Sequence, residues 1–392
     1  MSIFVMQALI TMGAYGIAVL APEAAGDIGL AAESVGFLTA SVYVSAMVTG
    51  LASSWLMHGV GPTRTFQLLV ICVGVGSCCF IASHPLFAFL GAILIGAGTG
   101  PMNPAGSHVL VQTAPPTLRP LFFSLKQCGT PAGGIAAGAL LPLVAATYDW
   151  RAAFAILPLT AIVLALLAPW GQMGGREPSQ RPRAKLGAEV FSSISKASAT
   201  QELLTVNLTG ALLGACQLAV ASYYVVYLVR HVGMSTIEAG QVFVAFHLTG
   251  IVTRVVLGLL AERYVRSQTL LTVLALIMAV AVGFATQFQP DSHWLFIYLV
   301  TAGLGISANG WVGLFFAELA RLAPANETST IAGGGQFIMY IGIVVGPLLF
   351  GTLLAISKSY QLCLMFFSAL ALVCVGLGIY GALLARSGQR RP

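Results

Sequence analysis

Long apolar stretches constrain the fold of this chain more than any other feature. Each is about 20 residues long, which is the length a helix needs to cross the hydrocarbon core of a bilayer. Lipid offers no partners to backbone N–H and C=O groups, so runs of this length are predicted to be helices. The twelve stretches lie at residues 3–21, 35–57, 66–83, 86–112, 120–147, 152–171, 201–229, 238–261, 268–287, 293–320, 329–355 and 360–385.

The composition points to the same class of protein. Hydrophobic residues make up 58% of the 392 residues and charged residues only 8%, which is far from the averages of soluble domains. The sequence therefore predicts an all-α membrane protein with twelve transmembrane helices.

The two halves of the chain show a weak internal repeat. Spans four and five align with spans ten and eleven at an offset of 209, and span two aligns with span eight at an offset of 204. The coincident pairs are Ser83/Ser292, His84/His293, Leu86/Leu295, Phe87/Phe296, Leu90/Leu299, Gly96/Gly305, Ala114/Ala323, Pro115/Pro324, Gln127/Gln336, Gly133/Gly342, Gly36/Gly240, Val48/Val252 and Thr49/Thr253. We therefore predict two pseudo-symmetric six-helix bundles, 1–171 and 200–392, joined by a cytoplasmic linker at 172–199, with a site near the midplane where they face each other.

The distribution of positive charge predicts the topology. If the N-terminus is cytoplasmic, thirteen of the eighteen Lys and Arg residues lie on the inner side, three lie outside and two lie within spans. This asymmetry predicts that both termini lie in the cytoplasm. The membrane is expected to be the plasma membrane of a bacterium, that is, its inner membrane. The distribution of the net charge of +6 therefore argues against a nucleic acid partner. The basic linker is interpreted mainly as a topological anchor, and contact with the headgroups of membrane lipid is the alternative. The first span begins almost at Met1, so a longer native N-terminus is left open.

Two cations within the spans are the leading candidates for a binding site. Lys126 lies seven residues past Arg119 and Arg254 lies eight residues before Glu262, so both are expected at about 10–12 Å from the cytoplasmic end. Charges are costly there and usually serve function. Neither span offers an acid at this depth, whereas a bound anion would neutralise both cations. The alternative is that each cation extends to the interface or pairs with a backbone carbonyl.

Several motifs resemble those of the major facilitator superfamily of transporters, and the resemblance covers all twelve spans. The segment Gly258-Leu-Leu-Ala-Glu262-Arg263-Tyr-Val-Arg266 is similar to the family's Gly-x-x-x-Asp-Arg loop, with Glu in place of Asp. Residues 129–134, Gly-Thr-Pro-Ala-Gly-Gly, resemble a weakened form of its Gly- and Pro-rich antiporter motif. The resemblance implies that Glu262 and Arg263 latch the cytoplasmic face and that spans five and eight are neighbours. A cation in span eight also resembles the family's monocarboxylate and oxalate carriers.

Other polar and aromatic residues within the spans are further candidates for the site. His247 is two turns before Arg254 on one helix face and would carry a coupled proton, because imidazole titrates near physiological pH; the alternative is a packing role. The remaining candidates would contact the substrate or else bridge and pack helices, and they are Gln127, Gln336, Asn103, Asn309, Tyr15 and Tyr43.

These observations predict a secondary active transporter that carries a small organic anion by alternating access. A carboxylate bound by Lys126 and Arg254 with proton symport is favoured, and proton-driven efflux of hydrophobic drug-like compounds is the alternative. The sequence contains no HExxH, Gly-x-Ser-x-Gly or phosphate-binding glycine loop, so an enzyme is not expected. No cofactor or metal is expected, and we expect a monomer.

Overall fold

The structure, a computed structural model, describes residues 2–115, 122, 125–167, 186–324 and 327–388. Within these residues it contains fifteen α-helices and no strand. They are α1 (Ser2–Ile28), α2 (Val35–Leu51), α3 (Ser53–Val60), α4 (Pro62–Ile81), α5 (Pro85–Thr99), α6 (Met102–Thr113), α7 (Gly129–Thr147), α8 (Trp150–Leu167), α9 (Leu186–Ala197), α10 (Gln201–Arg230), α11 (Thr236–Arg263), α12 (Ser267–Ala285), α13 (Trp294–Leu322), α14 (Thr328–Ser357) and α15 (Tyr360–Gly388).

The twelve spans predicted from the apolar stretches are confirmed. Twelve helical segments of the described chain are long and apolar enough to cross a membrane. The fourth span consists of α5 followed by α6, and the fifth begins at Leu125, just before α7. Large apolar side chains stay exposed along the surface, including Leu166, Leu299 and Leu362, which are 66%, 63% and 53% exposed. In a membrane this surface contacts lipid tails instead of water.

The described chain forms two compact units. The first comprises residues of 1–182 and 221–244, and the second comprises residues of 183–220 and 245–392. In the first unit α1 packs along α7, and α4 packs on both α5 and α8. In the second unit α12 packs on both α13 and α15. The third span thus packs on the fourth and sixth in one unit, just as the ninth packs on the tenth and twelfth in the other.

Glycine contacts in the two units follow the offsets found in the sequence. A methyl group at Gly96 would overlap the carbonyl oxygen of Val42 and lie 2.7 Å from Cβ of Ser45. A methyl group at Gly305 would overlap the carbonyl oxygen of Phe246 and the hydroxyl of Thr249. The residue numbers of the two glycines differ by 209, and those of the residues they contact differ by 204. The same close contact between two helices is therefore made once in each unit.

Residues 221–244 complete the first unit. The hydroxyl of Tyr223 donates to the carbonyl of Glu33 at 2.9 Å, and Nη2 of Arg230 donates to the carbonyl of Pro22 at 3.2 Å. A methyl group at Gly240 would overlap the carbonyl oxygen of Gly138. Close backbone packing and two hydrogen bonds to carbonyls therefore hold this segment.

Part of the predicted linker is a helix that packs within the second unit. Helix α9 lies against α14, where a methyl group at Gly334 would overlap the carbonyl oxygen of Ser193. Lys196 Nζ pairs with Glu327 Oε1 at 2.8 Å, and Nδ2 of Asn207 donates to the carbonyl of Ala197 at 2.7 Å. Residues 172–185 of the linker lie outside the described residues.

Candidate substrate-binding site

Lys126 lies at the start of the fifth span and is almost fully buried. Its residue is 4% exposed, and its Nζ donates to the carbonyl of Asn103 and to Oγ of Ser107, both at 3.0 Å. Both acceptors belong to α6, Asn103 in its first turn and Ser107 one turn later. The side chain reaches them because Gly106 has no Cβ: a methyl group there would lie 3.2 Å from Cδ of Lys126.

The charge of Lys126 has no protein counter-ion among the described residues. The ion pairs that these residues form join Arg151 to Asp27 and Asp149, Lys196 to Glu327, and Arg321 to Glu318. The carbonyl contact predicted as the alternative role of Lys126 is therefore present, but its two acceptors are neutral. They solvate the ammonium group without cancelling its charge.

A second polar side chain, that of Gln7, lies beside the fifth span and was not found from the sequence. Its residue is 3% exposed, and its Nε2 donates to Oγ1 of Thr130 at 2.8 Å. Gly129 allows this approach, because a methyl group there would lie 3.0 Å from the carbonyl oxygen of Phe4 and 3.1 Å from Cβ of Gln7. The sequence does not show that Gln7 is buried against the fifth span, because its burial depends on how α1 packs along α7.

Arg254 lies on α11 in the second unit and is half-buried. Its Nε donates to the carbonyl of Asn309 on α13 at 2.8 Å. As with Lys126, a backbone carbonyl is one of its partners. The contact fixes the base of the guanidinium group, whose planar fork is suited to a carboxylate.

Asn309 holds α11 and α13 together at this level. It is 1% exposed, and its Nδ2 donates to the carbonyl of Gly305 at 3.2 Å and, more weakly, to that of Phe246 at 3.5 Å. A methyl group at Gly250 would lie 2.5 Å from Cβ of Asn309. Of the two roles predicted for Asn309, these contacts favour helix bridging.

The pair Asn309 and Gly250 has an inverted counterpart in the first unit. At the same offsets the corresponding residues are Gly100 and Ala46, and a methyl group at Gly100 would overlap the carbonyl oxygen of Ala46. The larger residue is therefore on the tenth span in one unit and on the second span in the other.

His247 is fully buried in the second unit. Its residue is 0% exposed, and its ring meets that of Phe246 edge to face at a centroid distance of 5.0 Å. This environment agrees with the packing role that the sequence left open, and the proton-carrying role stays a prediction.

The remaining predicted residues differ in exposure. In the first unit Tyr15 is 5% exposed and meets the Phe243 ring edge to face at 5.6 Å. The side chain of Asn103 is exposed, whereas Gln127, Gln336 and Tyr43 are half-buried. Glu262 and Arg263 end α11, but their side chains lie outside the described residues.

Two further findings concern charged groups. Glu318 and Arg321 form a local ion pair on α13, with Oε1 of the buried glutamate 2.6 Å from Nη2 of the arginine. Within the described chain, no three His, Cys, Asp or Glu residues are grouped closely enough to hold a metal ion.

Sequence comparison relates the chain to membrane transporters. The profile of the Major Facilitator Superfamily matches residues 3–347. An uncharacterised MFS-type transporter of Mycobacterium tuberculosis is 26% identical over 375 residues, which cover 92% of this chain and 81% of that protein. A hexuronate transporter of Bacillus subtilis is 23% identical over 170 residues, which cover 42% of this chain and 39% of that protein.

Structural comparison gives the same fold. A bacterial homologue of the human lysosomal transporter Spinster, in an inward-facing and unoccupied conformation, matches with a TM-score of 0.78 at 14% identity over 97% of this chain and 95% of that one. A POT family transporter in complex with 5-aminolevulinic acid matches with a TM-score of 0.78 at 11% identity, also over 97% and 95%. These relatives are transporters and not enzymes, and the chain belongs to the Major Facilitator Superfamily, whose fold serves transport by alternating access.

Proposed function

We propose that this transporter carries a small carboxylate, which Lys126 and Arg254 bind. The observation that carries the proposal is the buried ammonium group of Lys126, which contacts only neutral acceptors among the described residues. A buried cation without a counter-ion costs several kcal/mol in effect. A substrate anion would remove that cost each time it binds.

The donor geometry supports a carboxylate as the anion. An ammonium group has three N–H donors, and two of those of Lys126 are used by Asn103 and Ser107. The third is available to an oxygen of the substrate. The guanidinium of Arg254 would bind the same carboxylate through two parallel hydrogen bonds.

One relative supports this substrate class. The Bacillus subtilis protein is named a hexuronate transporter, and a hexuronate is a sugar that bears a carboxylate. The similarity covers less than half of either chain, so it supports an anionic substrate and not this particular sugar acid.

The transport cycle that we propose uses charge neutralisation. With the site empty, bringing the two halves of the transporter together would enclose the charge of Lys126, which no described carboxylate compensates. A bound carboxylate lowers the cost of that step. His247 would carry a coupled proton, since it lies two turns from Arg254 on α11. We further propose that both termini lie in the cytoplasm, because the positive charges cluster on that side of the bacterial inner membrane. We also propose that the protein is a monomer.

Thermal stabilisation of the purified protein tests the substrate class. A ligand that binds only the folded state raises the melting temperature, so a panel of carboxylates, cationic drugs and neutral sugars would be compared. We expect stabilisation by carboxylates, and a loss of affinity of about 10- to 100-fold in Lys126→Gln and in Arg254→Gln, because each removes a charge-assisted contact. Lys196→Gln is the control, since it removes a cation from a half-exposed ion pair elsewhere.

The same experiment separates the alternative function. Stabilisation by bulky apolar compounds alone, unchanged in Lys126→Gln, would replace anion transport by efflux of hydrophobic compounds. Proton coupling is tested separately in proteoliposomes. We expect His247→Gln to retain exchange of labelled for unlabelled carboxylate and to lose uptake driven by a pH gradient; retained gradient-driven uptake would remove His247 from the mechanism.

A further inference from the structure

The amide of Gln7 gives the proposed carboxylate site a neutral contact that selects among carboxylates. We infer that its Oε1 accepts a hydrogen bond from a hydroxyl on the carbon next to the substrate carboxylate, so that the preferred substrates are 2-hydroxycarboxylates. The inference rests on the proposed function, because Lys126 has to bind the carboxylate before Gln7 can contact a hydroxyl on the adjacent carbon.

The amide of Gln7 is anchored at one end. Nε2 donates to Oγ1 of Thr130 at 2.8 Å, which leaves Oε1 directed away from that hydroxyl. Oε1 is buried and accepts no hydrogen bond from any described residue. Buried amide oxygens nearly always have a donor, so an oxygen without one is suited to a donor that arrives with a ligand.

Gln7 and Lys126 lie next to each other within the first unit. Thr130 is one turn after Lys126 on the same face of the fifth span, and it bonds to Gln7. One turn before Gln7, Ile3 meets Lys126 at Gly106, where a methyl group would lie 3.2 Å from Cγ2 of Ile3 and 3.2 Å from Cδ of Lys126. Along α1, Gln7 is therefore about one helical pitch, ~5 Å, from the residue that lies beside Lys126.

This spacing suits a donor group close to the carboxylate. A carboxylate oxygen on Nζ of Lys126 places the second carbon of the acid toward Thr130 and Gln7, and a hydroxyl on that carbon reaches Oε1. An ammonium group on the same carbon would also donate. However, it would add a positive charge beside Lys126, whose charge no described carboxylate compensates, and like charges repel. The site therefore favours a hydroxyl over an amino group.

Matched acids that differ by one hydroxyl test the inference. Affinities of the full-length protein would be measured by thermal shift and by transport competition for propionate against lactate and for succinate against malate. We expect the hydroxy acid to bind about 3- to 10-fold more tightly than its parent, which is the range of one net hydrogen bond. In Gln7→Leu the ratio should fall to about one, because leucine offers no acceptor to the hydroxyl.

Controls make the outcome specific to Gln7. Gln67→Leu replaces a glutamine of the first unit whose Nε2 donates instead to the carbonyl of Ala165, and it should keep the preference for the hydroxy acid. If Gln7→Leu does not fold, Thr130→Val removes the anchor of the amide and should reduce the same preference. Alanine as a ligand, the 2-amino analogue of lactate, should bind less tightly than lactate.

The results also separate this inference from the proposed function. Binding of carboxylates with no preference for the hydroxy acid in the native protein would overturn the inference and leave anion transport intact. A preference that persists in Gln7→Leu, or in Thr130→Val if the first variant is unfolded, would do the same. Absence of binding by every carboxylate would instead overturn the proposed function, and this inference with it.

Discussion

His84 and His293 cap two helices in the same way although 209 residues separate them in the sequence. The Nδ1 atom of each imidazole accepts a hydrogen bond from the backbone amide two residues later, in Leu86 and Leu295 respectively, at 3.2 Å in both cases. The histidines precede α5 and α13, the helices that begin the fourth and tenth spans. The histidine pair in the sequence repeat therefore has a structural cause, which is satisfaction of an otherwise free N–H at a helix start.

Removal of either cap should lower stability to a similar degree. We expect His84→Ala and His293→Ala each to cost about 1 kcal/mol, since the terminal amide loses its acceptor. The double variant should show the sum, because the two caps share no partner. Thermal unfolding in detergent measures the effect, and asparagine at either position should restore most of it. A cap that can be removed without any change in melting temperature would contradict this prediction.

Gly342 should tolerate substitution far less well than Gly333 on the same helix. A methyl group at Gly342 would overlap the carbonyl oxygen of Ala211, whereas nothing lies within 4 Å of one at Gly333. We expect Gly342→Ala to destabilise the protein by about 1–3 kcal/mol, because α10 and α14 must separate. Gly333→Ala should be neutral or slightly stabilising, since alanine favours a helix. Equal melting temperatures for the two variants would argue against the close helix contact.

Gly250 should affect ligand binding although it carries no side chain. A methyl group there would push on Cβ of Asn309, whose carbonyl accepts from Nε of Arg254. We therefore expect Gly250→Ala to displace Arg254 and to weaken carboxylate binding by about tenfold, roughly the value of one charge-assisted hydrogen bond. Gly258→Ala is the matched control, because it lies on α11 with no atom within 4 Å of the new methyl group. Unchanged affinity for carboxylates in a folded Gly250→Ala protein would show that Asn309 does not position Arg254 for binding.

Asn207 should hold the helix of the linker in place. Its Nδ2 donates to the carbonyls of Ala197 and Leu203 at 2.7 and 2.9 Å, and the residue is fully buried. Asn207→Leu leaves the end of α9 without this donor, so we expect limited proteolysis within residues 186–197 to accelerate about tenfold, which corresponds to about 1.4 kcal/mol. Lys196→Gln breaks only the half-exposed pair with Glu327 and should accelerate cleavage much less.

The spans were predictable because they depend on the transfer of apolar side chains from water to lipid. The repeat was predictable because it depends on small residues at close helix contacts. A run of 20 apolar residues has one stable form in lipid, so the helices followed directly from the sequence. The offsets of 209 and 204 were visible because contacts such as that of Gly96 with Val42 tolerate no side chain and are made again by Gly305 and Phe246. Helix α9 was missed because its 12 residues lie in a polar segment, and its stability depends on α14.

The site was only partly predictable for a related reason. Charge in an apolar span marks Lys126 and Arg254 at once, whereas the burial of Gln7 depends on how α1 packs against the fifth span. Asn309 was found as a polar residue, but the sequence left open whether it contacts the substrate or another helix. That choice depends on the missing side chain of Gly250, which is a property of the neighbouring helix and not of Asn309 itself.

The contact between Gly250 and Asn309 also determines the order in which the two helices can be altered. An alanine at position 250 pushes on the asparagine, so it fits without displacing α13 only if position 309 first changes to a smaller residue. In the first unit the corresponding glycine cannot be replaced in the same way, because any side chain at Gly100 would overlap the backbone of Ala46. Two helix pairs that share one packing pattern are therefore unequal starting points for protein engineering: one holds a polar amide at this level, and the other accepts it only if its helices move apart.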